Sequence, residues 1–293
     1  MNEYGNIVKF ENKIYERNGA ARPSIGLALG SGAMRGFAHL GVISEFLENK
    51  IIINEISGSS TGAIMACVYA SGINLKEAES IGAELSETKL FDYRVPFVSL
   101  YKGVKLRKFL SDVFLKRLKI KRLEHLKTKV FVVCVDIYKG RPVVFKTGDI
   151  IDVLMASSAV PILFPPVEFC GSTYIDGGIL MPLPASLLKN RGNDAVVAVN
   201  LGFSNNIKKF SHIIHICAQS IITMGSKLIE AQKKEANFVI EPDFGDIGFW
   251  NFSKIKDVVL AGRKAAAQSI DKIYETVAKL KSNRANHIRN VQL

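Results

Sequence analysis

Near its start the chain twice runs from a short apolar stretch into a glycine-rich turn and then straight into an apolar-periodic segment. Ser24 to Leu29 (SIGLAL) leads into Gly30-Ser31-Gly32-Ala33-Met34-Arg35-Gly36 and on to Asn49. Ile51 to Ser57 leads into Gly58-Ser59-Ser60-Thr61-Gly62 and on to Ala63 to Ala70, a segment rich in small residues. Short apolar runs bounded by glycine read as buried strands, and the periodic segments read as helices. Two such units in succession place their strands parallel and their helices over a sheet face, so the pattern predicts an α/β fold with a mostly parallel sheet.

The rest of the chain is consistent with that frame. Val130 to Val135 (VFVVCV) and Ala195 to Asn200 (AVVAVN) have the continuous apolar character of central strands, whereas Pro142 to Lys146 begins with proline and reads as an outer one. Asp149 to Ser157 predicts a helix with Asp149 near its N-terminus. Pro161 to Pro166 (PILFPP) cannot be helical and must be a rigid connection. From Ile207 the pattern turns mostly helical. It ends in an amphipathic run from Lys254 to about Lys281, with Ile255, Val259, Ala266, Ile270, Ile273, Val277 and Leu280 on one stripe and Gly262 as its gap. The organisation expected is an N-terminal extension over 1–23, a core over 24–205, and a mainly helical part over 206–293 packed on the same domain.

Composition narrows the class. Of 293 residues 48% are hydrophobic and 23% charged, which excludes a disordered chain. The balance of 39 basic against 27 acidic residues leaves +12, a charge that favours an anionic partner. The four cysteines lie far apart without a C-x-x-C pair, so neither a zinc site nor a disulfide framework is signalled, and a reducing compartment fits best. The first two dozen residues carry charges throughout and lack the apolar stretch of a secretory signal. No apolar segment reaches the ~20 residues of a membrane-spanning helix. A cytoplasmic protein, able to touch a membrane only peripherally, is expected.

Three turns could carry chemistry. Gly58-Ser59-Ser60-Thr61-Gly62 matches G-x-S-x-G, the strand-to-helix bend that lifts a serine above a sheet, and it lies between strand and helix as that mechanism requires. A tight turn without chemistry would read the same way. In the loop from Gly30 to Gly36, backbone amides at a helix start would stabilise an anion. The loop misses the Rossmann pattern by one residue, and no G-K-[ST] follows it, so nucleotide binding is the poorer interpretation. As an oxyanion hole it would set amide donors against a carbonyl oxygen under attack. Arg35 would orient the loop or meet a substrate anion, or else form a structural ion pair at the surface. Asp176-Gly177-Gly178 closes a short strand and reads either as an aspartate brought close to another loop or as an Asp-Gly hairpin turn.

No histidine stands where a Ser-Asp-His triad needs its base. Only His212, His215 and His287 follow Asp176; His212 and His215 share a helical, isoleucine-rich segment, His39 lies inside the first helix, and His125 sits among lysines.

Taken together, GLALGSGAMRGFAHLGVI, GSSTGA, ASSAVPILFPPV and YIDGG occur in an order and spacing that resemble the patatin-like phospholipase family, from about Ile25 to Leu183 and weakly through AVVAVNL. The resemblance implies a three-layer α/β/α sandwich and a serine-aspartate dyad that needs no histidine. It implies Ser60 as nucleophile within an elbow of Gly58, Ser59, Thr61 and Gly62. Asp176 would be its base on the Gly177-Gly178 turn. The oxyanion hole would be formed by Gly30, Ser31, Gly32, Ala33, Met34, Arg35 and Gly36. Family members usually show three successive glycines where this chain has Gly30-Ser31-Gly32, though a serine keeps its amide hydrogen.

The activity implied is hydrolysis of a phospholipid, lysophospholipid or other fatty acyl ester, without metal or organic cofactor. A non-catalytic lipid-sensing protein on the same scaffold, or an acyltransferase with another acceptor, would share the pattern. Nucleic acid as the anionic partner finds no supporting motif. From Lys102 to Lys129, eleven basic residues stand against Asp112 and Glu124, a local balance of +9. Leu106, Phe109, Leu110, Val113, Phe114 and Leu118 interleave with them at helical spacing. That stretch would lie on an anionic bilayer with its apolar edge inserted, or turn the edge into the core and leave the lysines solvated.

Overall fold

The computed structural model describes residues 23–93, 98–202 and 213–291. The expected extension over 1–23 lies almost wholly outside them, as does His212. The strands are β1 (Ser24–Leu29), β2 (Ile52–Ser59), β3 (Lys129–Asp136), β4 (Arg141–Phe145), β5 (Val167–Phe169), β6 (Ser172–Asp176), β7 (Ala195–Val199) and β8 (Phe238–Ile240). They form one sheet ordered β5-β6-β3-β2-β1-β7-β8, with β4 paired to β3 off this path. The pairs from β3 through β2, β1 and β7 to β8 are parallel, while β4, β5 and β6 are antiparallel to the strands they join.

The helices are α1 (Ala38–Glu48), α2 (Thr61–Ala70), α3 (Leu75–Ala83), α4 (Glu87–Leu90), α5 (Val104–Ser111), α6 (Ile150–Ser157), α7 (Ile213–Lys233), α8 (Ile255–Ala267) and α9 (Ile270–Val291). Strand pleating sends alternate side chains to opposite faces. In β1, Ile25, Leu27 and Leu29 enter the large core shared with α1, α2, α5, α6 and α8, while Ala28 joins a smaller core of Leu183, Leu188, Val196, Ala198 and Ile229 on the far face. The sheet is therefore covered on both sides, and the three-layer α/β/α sandwich is the observed architecture.

Several details differ from the sequence reading. The run from Lys254 breaks at Gln268 and Ser269 into α8 and α9. The gap at Gly262 is a close approach: a side chain there would collide with the Ala38 carbonyl of α1. Within the mainly helical C-terminal part, the short strand β8 extends the sheet beside β7. The Asp-Gly hairpin does not form; β6 ends at Asp176 and Gly177–Ile179 makes a 3-10 turn.

The basic stretch resolves in favour of the core. Leu106, Leu110, Val113 and Phe114 are buried, with Phe109 and Leu118 partly buried against the same core, so most of this apolar edge faces the protein interior. All eleven basic side chains remain exposed.

Candidate active site

The geometry of β3 brings the second and third glycine turns together. Val132 and Val133 pair with β4, and Val132 and Val133 also pair with Gly58 and Ser59 of β2. A strand has only two edges, so β2 and β4 occupy opposite ones. Cys134 to Asp136 pair with both β4 and β6, so β6 shares the edge used by β2. The two strands thus meet head to head, with Ser59 beside Val133 and Asp176 beside the next residue, Cys134. At ~3.3 Å per residue, this register sets the end of β6 directly above the start of the elbow.

Ser60 occupies the bend itself, at φ 56 and ψ −129. This is a left-handed conformation that a residue with a Cβ adopts only when its surroundings impose it. They do so here. The Ser60 amide donates to Ser157 Oγ at 3.0 Å, and that hydroxyl donates to the Val133 carbonyl at 2.7 Å, clamping the bend between α6 and β3. Gly62 lets α2 start against the carbonyls of Leu29 and Gly30, where any side chain would collide. Elbow and first glycine loop are thereby pressed together.

Asp176 is 3% exposed. Its Oδ1 accepts the Gly178 amide at 2.6 Å, and its Oδ2 has no partner. Burial is the largest influence on the carboxyl and raises its pKa to about 7, while the nearby Ser60 hydroxyl and the Gly178 amide pull the other way. The serine stands close enough to oppose the rise, yet no Ser60–Asp176 contact has the geometry of a formed hydrogen bond. Contacts of this kind commonly tighten only when substrate is bound.

The loop from Gly30 to Gly36 is narrower as a donor set than its length suggests. The Gly30 amide donates to the Val199 carbonyl, Ser31 to Pro182, Met34 to Phe249 and Arg35 to Gly32. Among the described residues none accepts from the amides of Gly32 or Ala33, and both residues line the same cavity as Ser60. The serine at position 31 therefore removes no free donor: its amide is already engaged, and its Oγ packs against Gly178 and donates to the Ser59 carbonyl at 3.3 Å. Below the loop, His39 is fully buried with its pKa lowered by burial to about 4, so the ring is neutral. Its Nε2 donates to the Gly30 carbonyl at 2.9 Å.

Arg35 does not sit on the surface, and its side chain turns away from Ser60. It is 2% exposed, donates through Nε and Nη2 to the Ile247 carbonyl at 3.0 and 2.7 Å, and lies against the rings of Phe244 and Phe249. It ties the loop to the 244–250 segment.

Ser60, Asp176 and Gly178 lie in a cavity of about 280 Å³ whose remaining wall is almost wholly apolar, with Ile64, Leu106, Phe164, Ile221 and Trp250 among its residues. Phe91 stacks on Tyr101 with ring centroids 4.4 Å apart and meets the edge of Trp250 at 5.7 Å, forming one side. Such a chamber suits a long hydrocarbon chain ending in one reactive polar group. Among the described residues no cluster of His, Cys, Asp and Glu is arranged to hold a metal ion. No helix there is long and apolar enough to cross a membrane.

Sequence reasoning missed Ser157, α7 and the 244–250 segment. Ser157 lies in the ASSAVP string, where two serines following an apolar helix are the only hint. The other two segments carry no local sign that they fold over a cavity formed by residues far earlier in the chain.

The profile described as Patatin-like phospholipase matches residues 27–189, just over half of the sequence, and covers all three turns. The chain belongs to the patatin-like phospholipase family. Among its relatives, an uncharacterized NTE family protein of Mycobacterium tuberculosis is 27% identical over 277 residues, covering 84% of this chain and 46% of that protein. Another from the same organism is 33% identical over 186 residues, covering 64% and 51%. A lysophospholipase of Candida albicans is 28% identical over 185 residues, covering 61% of this chain and 13% of the longer protein. The chain thus spans about half the length of the first of these relatives or less. Among solved structures, VipD from Legionella pneumophila has the same patatin-like fold at 18% identity, with a TM-score of 0.57 over 86% of this chain and 68% of that one.

Proposed function

We propose that the protein is a serine acyl hydrolase that cleaves fatty acyl esters, of phospholipid or lysophospholipid type, through Ser60 and Asp176. The observation that carries this reading is a buried carboxylate with one free oxygen beside a strained serine at the floor of an apolar cavity. Family membership and the lysophospholipase among the relatives support it.

In this mechanism Ser60 Oγ attacks the ester carbonyl carbon as its proton passes to Asp176 Oδ2. The carbonyl oxygen takes up negative charge and accepts from the Gly32 and Ala33 amides. Collapse breaks the bond to the alcohol, which leaves with the proton from Asp176, and an acyl-Ser60 remains. Water then gives a proton to Asp176 and attacks the acyl carbon; the fatty acid departs as Ser60 recovers its proton. An ordinary aspartate, with a pKa of about 3.9, is a poor base. A carboxyl raised to about 7 is matched to proton transfer near neutral pH. The exposed lysines and arginines of residues 102–129 would add long-range attraction to an anionic lipid surface.

An active-site-directed phosphonate ester tests the proposal, with the labelled peptide identified by mass spectrometry. A single adduct on Ser60, together with release of fatty acid from lysophospholipid, is expected. An unlabelled Ser60 in a folded protein that turns over no ester would show a scaffold without catalysis.

Ser157 should act on the same reaction as a positioning residue. Removing its hydroxyl leaves the buried Ser60 amide without an acceptor, a loss of about 1–3 kcal/mol, and frees the bend to rotate. In Ser157→Ala, kcat should fall by about tenfold or more with KM little changed. A change confined to thermal stability would show that the clamp is only structural.

A further inference from the structure

Behind the main cavity lies a second, of about 40 Å³, with apolar residues such as Val68, Ala78, Leu110, Val113 and Phe114 around it. Phe37, Ile64, Met65 and Phe109 line both cavities, so they form a partition one side chain thick. A recess so lined offers water almost no hydrogen-bond partners, and a close-packed interior has nothing to gain by keeping it. The backbone beside it is also unusual. Asp112–Arg117 is a π-helical turn in which the Leu118 amide reaches back to the Val113 carbonyl, and its Val113 and Phe114 face the void. Wide turns of this kind are rare and recur at functional positions.

Three members of the partition are tied to the catalytic turns. Phe37 closes the 3-10 turn that follows the Gly30–Gly32 loop, with its ring seated on Gly82. Ile64 and Met65 lie at the start of α2, where the Ile64 amide donates to the Ser60 carbonyl. Phe109 stands apart on α5 and is only half-buried. Its ring can be removed or turned without touching elbow, oxyanion loop or base.

We propose that Phe109 is a specificity-determining residue that limits the length of the fatty acyl chain, and that the inner cavity is a terminal acyl subsite closed off by its ring. This rests on the reading that the main cavity takes the acyl chain, but not on turnover.

The test is therefore equilibrium binding of saturated fatty acids from octanoate to palmitate, by displacement of a fluorescent fatty acid. In the wild-type protein, affinity should rise with chain length and level off where the chain meets the partition. In Phe109→Ala the plateau should move to longer acids, with a gain of about tenfold for those beyond the old limit, the worth of a methylene or so in an apolar pocket. Phe109→Leu should shift it the same way by less, which covers the case that the alanine variant fails to fold. Ala78→Leu, which fills the inner cavity from α3, should leave the wild-type plateau in place and cancel the gain in the double variant. A Phe109 variant whose binding series superimposes on that of the wild type overturns the proposal, as does a gain that Ala78→Leu fails to cancel, or no binding of any of the acids. A shifted series in a protein that hydrolyses no ester would leave the length limit standing and overturn the Ser60–Asp176 reading. Hydrolysis without a shift would do the opposite.

Discussion

Ser60→Ala is expected to lower ester hydrolysis by at least about 10³-fold while leaving the protein folded. The loss follows from the chemistry: without Oγ no acyl-enzyme forms, and Asp176 has no proton to accept. The fold survives because the elbow is held by main-chain and neighbouring groups, through the Ser60 amide on Ser157 and the Ser60 carbonyl accepting from Ala63 and Ile64. A companion variant separates chemistry from strain. At φ 56 and ψ −129 the backbone occupies a region that suits glycine, so Ser60→Gly should be as inactive as the alanine variant yet more stable, by about 1 kcal/mol. Release of fatty acid and chemical denaturation measure the two effects. Retained activity in a folded Ser60→Ala protein would end the case for this serine as nucleophile.

Asp176→Asn should abolish turnover to a similar extent and also change how stability depends on pH. The folded-state pKa of Asp176 is about 7, above the ~3.9 of an unfolded aspartate. Between these values the folded protein binds the extra proton, so the contribution is fully present below about pH 4 and is lost as pH rises through about 7. The wild-type protein should therefore lose stability over that window, on the order of a few kcal/mol at most. Asparagine cannot ionise and keeps an oxygen for the Gly178 amide, so the variant should lack this loss and exceed the wild type at pH 8. Activity runs the other way: the base must be ionised, so kcat/KM should climb as pH passes about 7. Denaturant midpoints of both proteins across pH, beside a wild-type pH–rate profile, test the pair of effects. A wild-type stability curve parallel to that of the variant would mean that Asp176 is already ionised when the chain folds. Stability given up where catalysis needs a buried ionised group is a common trade in enzymes.

Local pattern carried a good deal of this protein. The two strand–turn–helix units appear where apolar run, glycine and periodicity place them, because each needs only contacts a few residues apart. The helix capped by Asp149 was readable for the same reason: the side chain accepts from Ile151 and Asp152, its own first turn. By contrast, the lysine-rich stretch has one apolar edge and two environments that would accept it, and only the burial of Leu110 and Phe114 decides between core and bilayer. Arg35 was equally ambiguous. A guanidinium reads as a surface or substrate group until its partners are known, and those partners, the Ile247 carbonyl and the rings of Phe244 and Phe249, lie far along the chain.

What the amino-acid order determined unaided is the set of chemical parts: a serine on a glycine-flanked bend, an amide-rich loop, an aspartate before two glycines, and a parallel α/β frame to carry them. The tertiary structure decided which parts lie together. The edge of β3 is shared by β2 and β6, and this pairing across more than forty intervening residues on either side sets Asp176 one register step beyond Ser59. The same packing takes up the amides of Gly30, Ser31, Met34 and Arg35 and leaves those of Gly32 and Ala33, two residues that line the cavity, without an acceptor among the described residues. Both outcomes depend on strand edges and carbonyls supplied by distant segments, and a residue's own neighbours in sequence hold no information about which edge or carbonyl will arrive.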